Sequence, residues 1–495
     1  MKEKEQGSIT VFVSLLMIVF LAVTLLFQEI MRIYLGYGRI AVSMDGAGQH
    51  ILADYNQALA EQYNLYALDE TYNGYGVEEL LSRVQDYLEY HLNPEMLLGK
   101  TSGFYGIQVK DIHIDEQLYL TEKDNENLKK QIQDYVKLFQ IQEGIDFLTQ
   151  QIPGLKESKE QSDSMKKELK KKAREEELGK QQSMEPGTTG PDYQESETSA
   201  PKVEDPRDGL NSILSKGILY YITDGDQELG NETTLEAAEP QSFLSLDGLM
   251  ELMQKEVSTE LSGSIKEKAE LSCYLLQHFS NYCNNPNDYE KVNRCEMEYI
   301  LCGKSSDADN LNKMAGKIIA LRFPMNYAVA MGDSTMRQEA LTVATALVGV
   351  TGIAPVVTAV QYLLLGAWAY GETLVEMKGL LQNKSVALVK NSTQWNLSLS
   401  NLGSEAVSCK NIEEGISYEG YLTLFLAITS KEAVIDRMYK VIETNLQLNN
   451  PDFQIKHCVS KFQLTGRHVI EAREQMMWVV PTNWYQYEIS VIHQY

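Results

Sequence analysis

The chain has 495 residues, 69 of them acidic and 44 basic, for a formal net charge of −25. That length suits two or three domains. A surface this acidic repels phosphate backbones, which excludes a nucleic-acid partner unless a strongly basic patch intervenes. The densest cationic stretch, Met165 to Lys180, is interleaved with Glu168, Glu175, Glu176 and Glu177 and holds no aromatic residue, so it reads as a solvated charged helix.

From Ile9 to Phe27 no residue is charged, and 14 of these 19 are Leu, Ile, Val or Phe. As a helix the run spans about 28 Å, close to the hydrocarbon thickness of a bilayer. Its apolar side chains favour insertion by about 4 to 8 kcal/mol. The following "QEIMRIYLGYGRI" offers no small-residue cleavage site, so a retained anchor is expected over a discarded secretion signal. Lys2 and Lys4 before the run nearly balance Arg32 and Arg39 after it. The acidic bulk, its three sequons and its clustered cysteines place the remainder outside the cytoplasm. No proline occurs between Met1 and Glu70, and Ile51, Tyr55, Ala58, Leu59 and Tyr63 keep helical spacing, so the helix should continue past the membrane. Gly36, Gly38, Gly46 and Gly48 are expected to weaken it and mark a bend.

Val77 to Leu92 places Val77, Leu80, Leu81, Val84 and Leu88 on one helical face, ended by Pro94. Tyr105 to Leu120 reads as strand, with Ile107 and Val109 on one face and a slip before Ile112 and Ile114. Helical periodicity returns from Asn125 to Leu148. Lys156 to Asp208 is charged, then rich in Pro, Gly, Ser, Thr and Glu, and cannot bury enough surface to offset chain entropy. The part from Gly209 to Leu381 should be mainly helical. Within it, Ala340 to Gly371 is uncharged, but Gly349, Gly352 and Pro355 split it into arms too short to span, so a buried helical hairpin is expected. Strand and turn over Lys384 to Leu402, helices Tyr418–Ala427 and Lys431–Leu448, and strands at "KFQLTGRHVI" and "YQYEISVIHQY" complete the chain.

The expected fold is helix-rich α+β: a transmembrane helix continuing into a large extracytoplasmic domain with a small sheet. Its blocks are a cytoplasmic 1–8, the span 9–27, a membrane-proximal 28–155, the linker 156–208 and the main region 209–495.

Catalytic signatures are missing. The seven histidines are scattered, and no G-x-S-x-G, P-loop or zinc spacing occurs. Asp224, Asp226 and Glu228 alternate as in a calcium loop, but Leu229 and Leu235 replace the required Gly and Glu, so a polar turn is expected. No catalytic, cofactor-binding or metal residue is assigned, and no enzyme is expected. Cys273, Cys283, Cys295 and Cys302 lie within 30 residues and are candidates for one or two disulfides in an oxidising compartment.

The stretch "GSITVFVSLLMIVFLAVTLL" from Gly7 resembles the N-termini of TadE/TadG-like pseudopilins of tight-adherence (Flp-type) pilus systems. The resemblance implies prepilin-peptidase cleavage between Gly7 and Ser8, although Phe12 stands where that family usually has Glu. "ADYNQALAEQYNLYALDE" (Ala53 to Glu70), "EYILCGKSSDADNL" (Glu298 to Leu311) and "SYEGYLTLFLAI" (Ser417 to Ile428) resemble Gram-positive membrane-anchored proteins related to those pseudopilins. The implied function is a structural or accessory component of a Tad-like pilus assembly at the cell surface. The implied partners are the lipid bilayer and pilin-like or Tad-type proteins. A tethered adhesin or ligand-binding module is the alternative.

Overall fold

A computed structural model describes residues 2–71, 76–94, 104–122, 125–137, 205–226, 263–348, 354–388, 390–404, 406–473 and 482–495, with isolated positions 171, 174, 229 and 235. Nearly all of the charged stretch and of the linker, and the second half of the 125–148 helix, lie outside these residues. The linker's end falls inside them, and Arg207 and Asp208 there already belong to a helix. The fold is helix-rich α+β with a small, open antiparallel sheet.

Contacts divide the chain into two units, 1–132 with 450–495, and 133–449. This division differs from the sequence blocks, which kept the last 46 residues with 209–449. The reason is strand pairing, which joins the C-terminal strands to those near the N-terminus.

The first unit begins with α1 (Lys2–Ala53), one uninterrupted 52-residue helix. Then come α2 (Gln57–Tyr63), β1 (Leu68–Asp69), α3 (Gly76–Leu92), β2 (Ile107–Tyr119), β3 (Cys458–Ile470) and β4 (Gln486–Gln494). Asn56 caps α2 by accepting from the Leu59 N–H at 2.9 Å, and Asn64 at φ 50° ends it. α3 carries Glu78 and Glu79 in its first turn and His91 in its last, matching the helix dipole. Its buried stripe is Leu80, Val84, Leu88 and Leu92. β3 is central, with β2 along one edge and β1 and β4 sharing the other, all antiparallel. The slip read in the sequence is a register shift between Val109 and Asp111, and two further irregularities follow toward Tyr119. Ile40, Met44, Ala47 and Ile51 of α1 pack with Ile107, Phe462, Leu464 and Ile470 of the sheet.

The glycines of α1 do not break it. A Cβ on Gly48 would strike the His493 ring, and one on Gly36 would come within 2.8 Å of Ile470 Cδ1. A Cβ on Gly46 would meet Tyr87 Oη at 2.5 Å, whereas Gly38 faces open space. Three of the four therefore mark close approach of neighbours rather than a bend.

The described helix of 126–136 is α4 (Glu126–Val136). The second unit holds α5 (Arg207–Lys216), α6 (Ile218–Ile222), α7 (Gly263–His278), α8 (Glu296–Cys302), α9 (Asp307–Gly332), α10 (Ser334–Val348), α11 (Ala354–Leu381), α12 (Tyr418–Ile428) and α13 (Lys431–Gln447). Ser306, Ser417 and Ser430 cap α9, α12 and α13. The uncharged stretch forms the last nine residues of α10 and the first two-thirds of α11, two helices that pack together. Gln361 reaches back to the Arg337 carbonyl at 2.8 Å. The expected strand over Lys384–Leu402 is instead two 3₁₀ turns, with a lone bridge between Val386 and Ile416.

Candidate functional site

Among the described residues, α1 alone is long and apolar enough to cross a membrane. Its large apolar side chains from Ile9 to Leu25 are 48–65% exposed, so nothing among the described residues covers them. Ser14 and Thr24 satisfy their hydroxyls within the helix, donating to the Thr10 and Leu21 carbonyls at 2.9 and 2.8 Å. Gly7 and Ser8 lie in α1, with side chains outside the described set.

Just past the apolar run, α1 is clamped to its own unit. Glu29 and Arg32 are buried and paired at 2.6 Å. Arg32 also donates to the carbonyls of Tyr105 and Glu471 at 2.6 and 2.8 Å, and the Tyr485 hydroxyl reaches Glu29 at 3.2 Å. With every guanidinium nitrogen hydrogen-bonded, the buried pair fixes the helix where the sheet begins. Sequence reading had counted Arg32 only as a flanking cation.

In the second unit, three buried carboxylates tie down the loop 279–295. Glu296 accepts from the backbone N–H and hydroxyl of Ser280 at 2.7 and 2.9 Å. Glu298 accepts from the Tyr282 N–H at 3.0 Å and the Tyr418 hydroxyl at 2.6 Å. Asp307 takes the Arg294 N–H at 2.8 Å and the Asn293 amide at 3.0 Å. Burial pushes the Glu298 carboxyl up to about 7, and its Oε2 finds no hydrogen-bond donor among the described residues. The loop walls a groove of about 420 Å³. Its cations are already committed: Arg294 pairs with Asp226 at 2.9 Å, and Lys291 with Glu296 at 3.2 Å. Burial and then the Glu298 charge raise the Cys283 thiol to about 12, so it is not a poised nucleophile.

A second polar cluster sits between α9 and α11. Arg322 and Glu376 pair at 2.7 Å, and Lys390 bridges Glu376 and Glu372. Asn326 donates to Glu376 at 2.7 Å, the Tyr421 hydroxyl receives Arg322 at 2.7 Å, and the Leu397 N–H reaches Glu372 at 2.8 Å. Two cations face two anions, all nearly or fully buried. Burial alone would raise Glu376, but Arg322 and Lys390 outweigh it and hold that carboxyl well below the usual range. Glu372 and Glu376 follow the uncharged stretch in the sequence. Their i, i+4 spacing inside a buried segment was the available signal.

All six cysteines, the candidates for a disulfide among them, are free thiols in this structure. For Cys295 and Cys302 helix geometry forbids one: seven residues along α8 separate them by about 10 Å. Asp224 and Asp226 pair with Lys378 and Arg294, in keeping with a polar turn. Asn396, a sequon residue, spends its amide on Glu372 at 2.7 Å. His468 is buried on β3, neither ring nitrogen finds a hydrogen-bond partner among the described residues, and burial lowers it to about 4. No group of three or more His, Cys, Asp or Glu among the described residues is placed to hold a metal ion.

These features describe a largely helical protein whose polar clusters brace its interior, and whose most prominent uncovered feature is an apolar helix. The chain belongs to DUF5702, a family of unknown function, whose model matches residues 196–468, just over half of the chain. The match includes the carboxylate-tied loop and the ionic cluster but not α1. No curated protein and no solved structure matches the chain.

Proposed function

We propose that the protein is a single-pass, membrane-anchored structural or accessory component of a Tad-like pilus or pseudopilus assembly, with its bulk outside the cytoplasm. The observation that carries this reading is the division of α1. One helix leaves its first half bare and packs its second half on an antiparallel sheet. A pilin is built on that plan, and a cleaved secretion signal has no reason to be continuous with the core. The burial of Arg32 against Glu29 leaves Arg39 as the one other cation of α1 after the run, against Lys2 and Lys4 before it. That count favours a cytoplasmic N-terminus.

The test is N-terminal sequencing of the membrane-bound protein, together with identification of neighbours crosslinked in intact cells. A start at Ser8 or an intact Met1, with Tad-type platform or pilin proteins among the crosslinked partners, is the expected result. A start within 28–50 removes the anchor, and neighbours with no assembly role favour a tethered binding module. That second reading would place its ligand in the groove of loop 279–295. It gains little support from a groove whose cations are already paired.

A further inference from the structure

The polar residues of the apolar run are not scattered round the helix. Thr10, Ser14 and Thr24, its only hydroxyl residues, fall with Met17 and Leu21 on one seam of alternating four- and three-residue steps. The same steps continue beyond the membrane through Gln28, Met31, Leu35, Gly38 and Val42. This 3.5-residue period is that of a helix pair wound on one another. Outside the bilayer the seam should be polar if it faced only water, yet Leu35 is 48% exposed and Val42 is 75% exposed. A groove of about 680 Å³ runs beside them, bordered by Tyr34, Leu35, Gly38 and Val42. Ile33, Ile40 and Met44, which pack on the sheet, each lie two residues from a seam position, about 200° round the helix. The seam therefore points away from the chain's own core.

We infer that this seam, Thr10 to Val42, is the contact surface for α1 of a second copy of the chain, in a parallel, twofold-symmetric pair. The inference rests on the anchor reading above and adds the partner to it. Three observations favour a copy over a different helix. The seam carries no charge, so it calls for no charge-complementary partner. Gln28 is exposed on it, and an amide is its own complement: two related by a twofold axis donate to and accept from each other, fixing register. Met17, Leu21, Met31, Leu35 and Val42 each leave on the order of 100 Å² open, so a pair covers on the order of 1,000 Å² in total, where specific interfaces begin. Ser14 and Thr24 keep their hydroxyls bonded internally and contribute small size, which lets helices approach in lipid. Gly38 does the same outside, since nothing lies within 4 Å of its missing Cβ.

The experiment uses the full-length chain in its own membranes, with Leu35→Cys, Val42→Cys and the off-seam control Ile30→Cys, oxidised alongside the unsubstituted protein and its six cysteines. The expected result is a disulfide-linked band of twice the chain mass at Leu35→Cys and Val42→Cys, several-fold stronger than at Ile30→Cys or in the parent. Gly38→Leu in the Val42→Cys background should weaken that band, although the open space at Gly38 leaves the fold unstrained. Equal bands at seam and control positions, no band at either seam position, or a seam adduct of a different mass would each overturn the pairing. Alkaline carbonate washing of the same membranes separates the two readings. A chain that stays in the pellet without crosslinking removes the pairing and keeps the anchor, while one that washes out removes the anchor as well.

Discussion

Replacing Glu376 with Gln would leave the shape of the α9–α11 cluster intact and remove its charge balance. In the native chain Arg322 and Lys390 face Glu372 and Glu376, two against two, with Arg322 and Glu376 wholly buried. After Glu376→Gln, Lys390 keeps Glu372, and Arg322 retains only neutral partners such as the Tyr421 hydroxyl. An uncompensated buried charge costs about 3–5 kcal/mol. With a urea slope of about 3 kcal/mol per molar, the unfolding midpoint should drop by about 1 to 1.7 M. Arg322→Met is the mirror case, since it leaves two carboxylates on Lys390. Glu372, already raised by burial, can take up a proton, so this variant should lose less stability at low pH than at high pH. Arg322→Met combined with Glu376→Leu restores neutrality and should cost less than the sum of the singles by about 2 kcal/mol or more. Urea titration of the detergent-solubilised full chain, followed by tryptophan fluorescence, reads this region. Trp368 and Trp395 stack edge to face at 6.2 Å, and Lys390 lies 4.6 Å over the Trp395 ring. Glu376→Gln within about 0.5 kcal/mol of the parent, or strictly additive single changes, would refute the charge-balance argument.

Gly48→Ala should destabilise the first unit by about 1–3 kcal/mol, because its Cβ meets the His493 ring, while Gly38→Ala should be neutral or slightly stabilising; paired thermal melts in detergent check the contrast. His468 is held near 4 by burial, below its unfolded value of 6.5. The unfolded chain therefore binds the proton first, and stability is lost as pH falls from 6.5 toward 4, by up to about 3 kcal/mol. His468→Leu should flatten that slope, as acid-range melts of both proteins would reveal. Glu298 is shifted the other way, so its contribution is complete below pH 4.5 and lost as pH rises through about 7. Glu298→Gln should narrow the stability gap between pH 5 and pH 8, and an unchanged gap in urea titrations at the two values would count against the assignment.

The sequence alone determined the features set by local geometry. A charge-free run of 19 residues followed by a proline-free helical pattern specified α1, because length and period act within one helix. The stripe of α3 and the slip at Val109 were legible for the same reason, since each is a rule of side-chain period along one element. Tertiary structure alone decided what joins distant segments. Nothing local states that β3 pairs with β2 some 350 residues earlier, which puts the C-terminal strands in one unit with the N-terminal segments. Glycines that read as weak points in α1 proved to be places where Ile470, Tyr87 and His493 come close, and a Gly carries no mark distinguishing the two roles. Arg322 and Glu376 are 54 residues apart, and nothing local to either names the other. Only packing of α9 on α11 brings them to 2.7 Å in a dry interior, where the cost of burial forces them to pair.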